Sequence, residues 1–257
     1  MTSSAALDSL HRISDLIAGS TCCVAFTGAG ISTASGIPDF RSAGSGLWAQ
    51  SDPMEVASLT AFRYHPEKFF NWLRPLAGQI WAAQPNPAHQ ALARLEQGAH
   101  LRAVITQNID GLHQRSGSTQ VIEVHGSVST LICPHCRSVF PAENYAAPFI
   151  ADGILPYCGN CQSMLKPNII LFEEMLPIAA WEQAVEYSRQ ADCFLVVGSS
   201  LEVSPANELP RLAYEHGARL IILTRSPTYL DHRADVILRA DIVETLPAIV
   251  DLVLSKS

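Results

Sequence analysis

Apolar residues recur along this chain in two alternating rhythms. Near the N-terminus Leu7, Leu10, Ile13 and Ile17 are spaced three, three and four apart, a stripe along one helix face. Short apolar runs follow at 21–26, 101–106, 121–124, 169–172, 191–197, 219–224 and 236–238, each of strand length and bounded by polar or turn-forming residues. Residues 52–97 read as helices, broken at Pro85 and Pro87, with Asn86 as N-cap of the last one. Further helices are predicted over 181–189, 206–216 and from Ile242 onward. Strands that alternate with helices in this way predict an α/β fold, a doubly wound and mostly parallel sheet. The aromatics Phe69, Phe70, Trp72 and Trp81 fall at roughly helical spacing, so they are expected to pack between helices, not to stack on bases. The pattern breaks over residues 130–165, where cysteines and prolines replace helical periodicity.

Composition narrows the picture. The 257 residues can bury one core, or one core with a small insert. With 48% hydrophobic and 16% charged residues the chain is globular. A net charge of −7 argues against sequence-specific nucleic-acid binding, and no apolar run is long enough for a membrane helix. The first residues lack a basic segment followed by an apolar core, so a cytoplasmic address is expected.

Four of the seven cysteines carry the strongest spacing signal. Cys133 and Cys136, then Cys158 and Cys161, form two C-x2-C pairs with 21 residues between them. Each pair can place two thiolates on one turn, and two such turns close a tetrahedron around zinc; a redox disulfide pair is the weaker alternative. Four sulfurs leave no open position, so the zinc is structural and His135 a bystander. Cys22, Cys23 and Cys193 lie in apolar strands and are expected to be small buried hydrophobes.

A second signal follows the first strand. Gly28 and Gly30 permit a tight turn and close backbone approach, and a helix starting near Ile31 would aim its N–H groups at an anion. The glycines alone fit either a nucleotide-binding turn or an ordinary strand-to-helix turn, because Thr33 stands where a dinucleotide fingerprint needs its third glycine. The loop Gly36-Ile37-Pro38-Asp39-Phe40-Arg41 is unusual for a hydride-transfer enzyme. Polar residues also end later strands, at Gln107-Asn108-Ile109-Asp110, at His125-Gly126-Ser127 and at Gly198-Ser199-Ser200-Leu201, where open α/β sheets bind ligands.

The runs GAGISTASGIPDFR, TQNIDGLHQRSG, VHGS, the two C-x2-C pairs and GSSLEVSPA together resemble the sirtuins, NAD-dependent protein deacylases, over almost the whole chain. The resemblance implies a Rossmann-like large part, about 1–48, 86–129 and 166–257, within a single catalytic domain. A small module would comprise a helical insert at about 49–85 and a zinc ribbon at about 130–165. It implies NAD as co-substrate, with the acyl-lysine amide oxygen attacking the nicotinamide ribose and expelling nicotinamide. Ala29, Ile37, Asn108, Ile109 and Asp110 match the nicotinamide pocket, Asn108 acting in catalysis. Gly28, Gly30, Thr33, Asp39 and Arg41 match the contacts to cofactor phosphates and ribose. Phe40 would shield the activated sugar, and Gln107 would bond the ribose hydroxyls. Gly198, Ser199, Ser200, Thr224, Asp241 and Ile242 match the adenosine side. His125 matches the general base, a task suited to an imidazole. The acyl peptide would add as a strand between Ile170, Phe172, Glu173 and Glu174 on one side and Leu201, Glu202 and Val203 on the other.

Three features shape the expected chemistry. Where the family usually has Phe-Gly-Glu, this chain has Phe172-Glu173-Glu174, so Glu173 is expected to strain a glycine-type backbone or narrow the peptide channel. Thr224 stands where the family often has Asn, and can still donate and accept. Relatives that prefer succinyl or malonyl groups carry a Tyr-x-x-Arg pair where this chain has Leu73 and Leu76, which predicts neutral acyl groups. Mono-ADP-ribosyl transfer or NAD hydrolysis on the same scaffold is the competing activity; a non-catalytic NAD-sensing or zinc-ribbon interaction protein and a dehydrogenase fit the motifs less well. The resemblance also implies a monomer with acyl-lysine proteins as partners.

Overall fold

A computed structural model describes residues 4–39, 46–49 and 51–256. In chain order the elements are α1 (Ser4–Ala18), β1 (Cys23–Thr27), α2 (Pro53–Val56), α3 (Leu59–Tyr64), α4 (Pro66–Ala82), α5 (Pro87–Gln97), β2 (Ala103–Thr106), α6 (Leu112–Arg115), β3 (Val121–Glu123), β4 (Gly126–Ile132) and β5 (Val139–Pro141). They continue with α7 (Glu143–Asp152), β6 (Lys166–Ile169), α8 (Ile178–Gln190), β7 (Cys193–Val197), α9 (Glu208–Glu215), β8 (Arg219–Leu223), β9 (Val236–Leu238) and α10 (Ile242–Leu254).

Six strands form a parallel sheet in the order β3-β2-β1-β7-β8-β9. Its central strands are buried on both faces, which is why they read as unbroken apolar runs. Alternate residues face opposite layers. Ala25, Val104, Leu195 and Ile221 pack under α1, α5 and α10, whereas Val24, Ile105, Phe194 and Ile222 meet α8 and α9. From β1 the strand order runs outward through β2 to one edge and through β7 to the other. Ligands of open α/β sheets bind in the crevice such a reversal leaves at the strands' C-terminal ends. Thr27, Thr106 and Val197 stand in register there, so the loops that follow them emerge side by side.

Above this edge sits a second layer. An antiparallel sheet, β5-β4-β6, packs with α4 and α7. Phe62, Phe69, Phe70 and Phe149 meet edge to face, with centroids 5.0–6.1 Å apart, and share a core with Leu73, Leu76 and Ile169. Arg74 binds α4 to the end of α7, donating from Nε to the Ile150 carbonyl at 2.9 Å and from Nη2 to that of Ala151.

Several expectations shift. Leu10, Ile13 and Ile17 are buried as the stripe predicts, but Leu7 is exposed. Trp81 is likewise 40% exposed, since it ends α4 beyond the aromatic core. The helix expected from Ile31 is two 3-10 turns, Ala29–Ile31 and Thr33–Ser35, stopped at Gly36. The strand expected over 169–172 lies earlier, at β6, because pairing with β4 decides it where apolar content does not; Phe172 keeps only one bridge, to Ser58. Helix α7 falls where no helical periodicity was expected, on the strength of Ala146 and Phe149 alone. Cys23 and Cys193 are buried and adjacent in register, while Cys22 is half-buried.

Candidate active site and zinc-binding cluster

A cavity of ≈ 1400 Å³ opens between the C-terminal edge of the parallel sheet and the second layer. Into it converge Gly28, Ala29, Gly30, Thr33, Ile37 and Asp39 after β1, Gln107, Asn108, Ile109 and Asp110 after β2, and His125 after β3. Ile170, Phe172, Glu173 and Glu174 arrive after β6, Gly198, Ser199, Ser200, Glu202 and Val203 after β7, Thr224 after β8, and Asp241 and Ile242 at the start of α10. Leu201 is the exception: its side chain turns away into the core beneath the sheet and is 2% exposed, so it offers no side-chain surface to a substrate. Phe40 and Arg41 lie outside the described residues.

The β1 and β7 loops touch backbone to backbone. Gly30 N donates to the Gly198 carbonyl at 2.8 Å, and a β-carbon on Gly30 would stand 2.7 Å from that same oxygen. The missing side chains therefore allow the contact that shapes the cavity floor.

Behind the floor runs a buried polar network. Asn108 donates from Nδ2 to the Gly28 carbonyl and to Ser32 Oγ, both at 3.1 Å. Ser32 donates to Asp110 Oδ2 at 2.7 Å, and the Leu112 amide donates to Oδ1 at 2.9 Å. Burial raises the Asp110 carboxyl above its ordinary range against these bonds, and burial does the same to Glu123. His89 and His113 meet edge to face beneath the network, centroids 5.0 Å apart, and His113 Nε2 lies 2.9 Å from Thr27 Oγ1. Burial pushes His89 down to about 4 and His113 to about 3. Ser32, His89 and His113 escaped sequence reading, although His89 sits three residues after Asn86 and completes its capping box.

His125 stands at the end of β3, its Nδ1 3.1 Å from the Gln107 carbonyl. A carbonyl only accepts, so Nδ1 carries the proton and the basic lone pair of the neutral ring is on Nε2. Gln107 in turn donates from Nε2 to Ser199 Oγ at 2.9 Å, joining the loops after β2 and β7.

The far wall is apolar. Leu73 and Leu76 of α4 line it, each 4% exposed, and Trp48 stacks on Trp72 and meets the edge of Phe172. Arg74, the guanidinium on this helix, is committed to the α7 carbonyls. Glu173 does take the glycine-type backbone, φ 72°, and its carboxylate turns outward to accept the Thr60 amide at 2.8 Å. Glu174 pairs with buried Lys166 at 2.8 Å and accepts the Leu171 amide, bracing the loop from within.

Cys133, Cys136, Cys158 and Cys161 bring four sulfurs within 4.8 Å of one another, with Cys133–Cys161 at 3.4 Å and Cys136–Cys158 at 3.6 Å. A tetrahedron with Zn–S bonds of about 2.3 Å has edges of about 3.8 Å, so the four thiols fit zinc with little movement. Hydrogen bonding to Ser138 holds the Cys136 thiol down to about 6, as a metal ligand requires. No helix among the described residues is long and apolar enough to cross a membrane.

A family model described as "Sir2 family" matches residues 28–205. The chain is 42% identical over 246 residues to the "NAD-dependent protein deacetylase" of Sulfurisphaera tokodaii, covering 96% of each chain. It is 43% identical to the "NAD-dependent protein deacylase 2" of Archaeoglobus fulgidus, covering 95% of this chain and 96% of that one. Among solved structures, "Sir2-p53 peptide-NAD+" superposes with a TM-score of 0.85 at 38% identity, over 93% of this chain and 96% of that one.

Proposed function

The chain belongs to the Sir2 family, and from that premise we propose that it is an NAD-dependent protein-lysine deacylase that prefers neutral acyl groups. One observation carries the reading: a single cavity joins the touching glycine loops, the Asn108–Asp110 network, His125 and an apolar wall. NAD supplies an activated glycosidic bond whose sugar carbon accepts the acyl oxygen as nicotinamide leaves. The amides around Gly28 and Gly30 suit its diphosphate, and Ser199, Ser200, Thr224, Asp241 and Ile242 suit its adenosine.

Asn108 and Asp110 orient the carboxamide, and the Ser32 and Leu112 bonds keep Asp110 in one rotamer for that purpose. Gln107, fixed by Ser199, takes a ribose hydroxyl. His125 accepts a hydroxyl proton at Nε2, since the Gln107 carbonyl holds the proton on Nδ1. The apolar wall of Leu73, Leu76, Trp72 and Phe172 receives the acyl chain and excludes water. Among the described residues of this wall a carboxylate-bearing acyl group would meet no guanidinium, which supports acetyl and longer neutral chains over succinyl.

The substrate peptide adds as a strand between 172–174 and 198–203, and Val203 and Glu202 line its far side. We take residues 49–85 with 130–165 as a small module, a division supported by the Phe70–Phe149 contact and the Arg74 bonds. The unpaired thiols Cys22, Cys23 and Cys193 suit a reducing cytoplasm, and the enzyme is taken as a monomer.

Purified protein incubated with NAD and matched acetyl-lysine and succinyl-lysine peptides should release the acetyl group with nicotinamide. Succinyl peptide should turn over at least about tenfold more slowly, reflecting the desolvated carboxylate. His125→Ala should lower kcat about a hundredfold or more. NAD consumed with every peptide intact would reassign the chain to ADP-ribosyl transfer or NAD hydrolysis.

A further inference from the structure

The loop after β6 is clamped on its outer side. The Phe172 amide donates to the Ala57 carbonyl and its carbonyl accepts the Leu59 amide, both at 3.0 Å, while the Glu174 amide is taken by Leu171. Beside these clamped positions the Glu173 N–H and C=O have no backbone partner among the described residues, and Met175 and Leu176 continue the unpaired stretch. An added strand needs such an edge. The same residue carries an exposed carboxylate, fixed by the Thr60 amide at 2.8 Å and without an ion-pair partner among the described residues.

Charge around the cavity sharpens the point. Among the described lining residues the one Arg or Lys is Arg225, and it pairs with Asp241 at 2.7 Å on the opposite side of the sheet edge. Glu174 is neutralised by Lys166. Glu182 and Glu202 line the same cavity as Glu173, which adds to the acidic character of this side among the described lining residues.

Resting on the deacylase reading above, we propose that Glu173 is a specificity-determining residue that selects acyl-lysine segments carrying an Arg or Lys beside the acyl-lysine. Glu173 lines the cavity and the Thr60 amide fixes its carboxylate beside the docking loop, so little side-chain entropy remains to be lost when a cation pairs with it. The positive φ of Glu173, 72°, carries a backbone strain that a glycine would avoid. That cost is offset by the Thr60 bond and places the side chain where a glycine offers nothing.

The test is steady-state kinetics on acetyl-lysine peptides identical except for Arg, Ala or Glu on both sides of the acyl-lysine, read by mass spectrometry. Wild type should rank Arg over Ala over Glu in kcat/KM, the difference lying in KM and shrinking in high salt. Glu173→Gln keeps an oxygen for Thr60 and removes the charge, and should cut the Arg-to-Glu preference about threefold, the worth of one exposed ion pair. Glu173→Gly should cut it at least as far. A thermal melt of each variant separates loss of preference from loss of fold. Turnover with no rank order in wild type, or the same ratio in wild type and Glu173→Gln, overturns the inference while leaving the deacylase reading intact. Turnover of no peptide overturns both.

Discussion

Gly198 sits at φ 64°, and a β-carbon there would stand 2.7 Å from Gly30 C and inside contact distance of the Ile31 amide. Both neighbours are backbone, so they can yield only by parting the two loops that form the cavity floor. Gly198→Ala should therefore cost about 2–4 kcal/mol, overpacking and left-handed strain together, or about 5–10 °C in Tm. It should also weaken NAD binding. A melt within about 2 °C of wild type would mean that the loop contact is looser than its geometry. Residue types at the cavity were legible because glycines and polar residues interrupt apolar strands at their C-terminal ends. Side-chain direction was not. Leu201 follows Ser200 in the same motif, yet it turns into the core, and nothing in the motif distinguishes it from its lining neighbours. Glu173 was legible as an anomaly, but its partner Thr60 lies 113 residues away in the chain and only the fold brings them together.

At the level of elements, the ribbon and the proposed base share a strand. His125 is followed directly by β4, and the Ile170 amide donates to the His125 carbonyl at 2.8 Å. Gly126, φ 74°, makes the turn, with a β-carbon excluded by Asn168. The ribbon's own core is small, Leu131, Ala142, Leu165 and the cysteines with Phe140 and Tyr145 at its edge, so zinc supplies most of its cohesion. Removing zinc with a chelator, or replacing Cys158 by Ser, should melt β4–β6 while the parallel sheet survives. Deacylation should then fall by at least about tenfold, the cost of a catalytic group displaced by an ångström or so. NAD binding should fall less, because the glycine loops stand on the other layer. Far-UV circular dichroism and calorimetric NAD titration on the same sample would decide it; activity unchanged in metal-free protein would uncouple ribbon from base. Spacing alone revealed the four cysteines, since two thiolates per turn is a local constraint. Helix α7 and the true position of β6 escaped because both are fixed by packing against α4 and β4, not by their own periodicity.

Over the whole molecule, strand and helix alternation revealed a doubly wound sheet, whereas strand order and the buried imidazole pair emerge only from the fold. That pair sets a pH limit on global stability. His89 and His113 are 0% and 1% exposed and stay neutral in the folded chain down to about 4 and about 3. Unfolded, each titrates near 6.5. Their folded values are depressed, so the stability they allow is complete above pH 6.5 and drains away as pH falls towards 4, where the unfolded chain binds protons the folded chain refuses. Each imidazole withdraws about 1.4 kcal/mol per pH unit in that window. Asp110 and Glu123 work the other way, because burial raises their folded values and lets the folded chain take up protons first. The net loss between pH 7 and pH 5 should be about 3 kcal/mol, measured by urea unfolding at the two values. His89→Gln keeps an acceptor for the Asn86 cap and should lose roughly half as much over the same interval. Equal losses in wild type and variant would show that His89 is charged or solvated in the folded chain, and a flat wild-type profile would remove both imidazoles from the account.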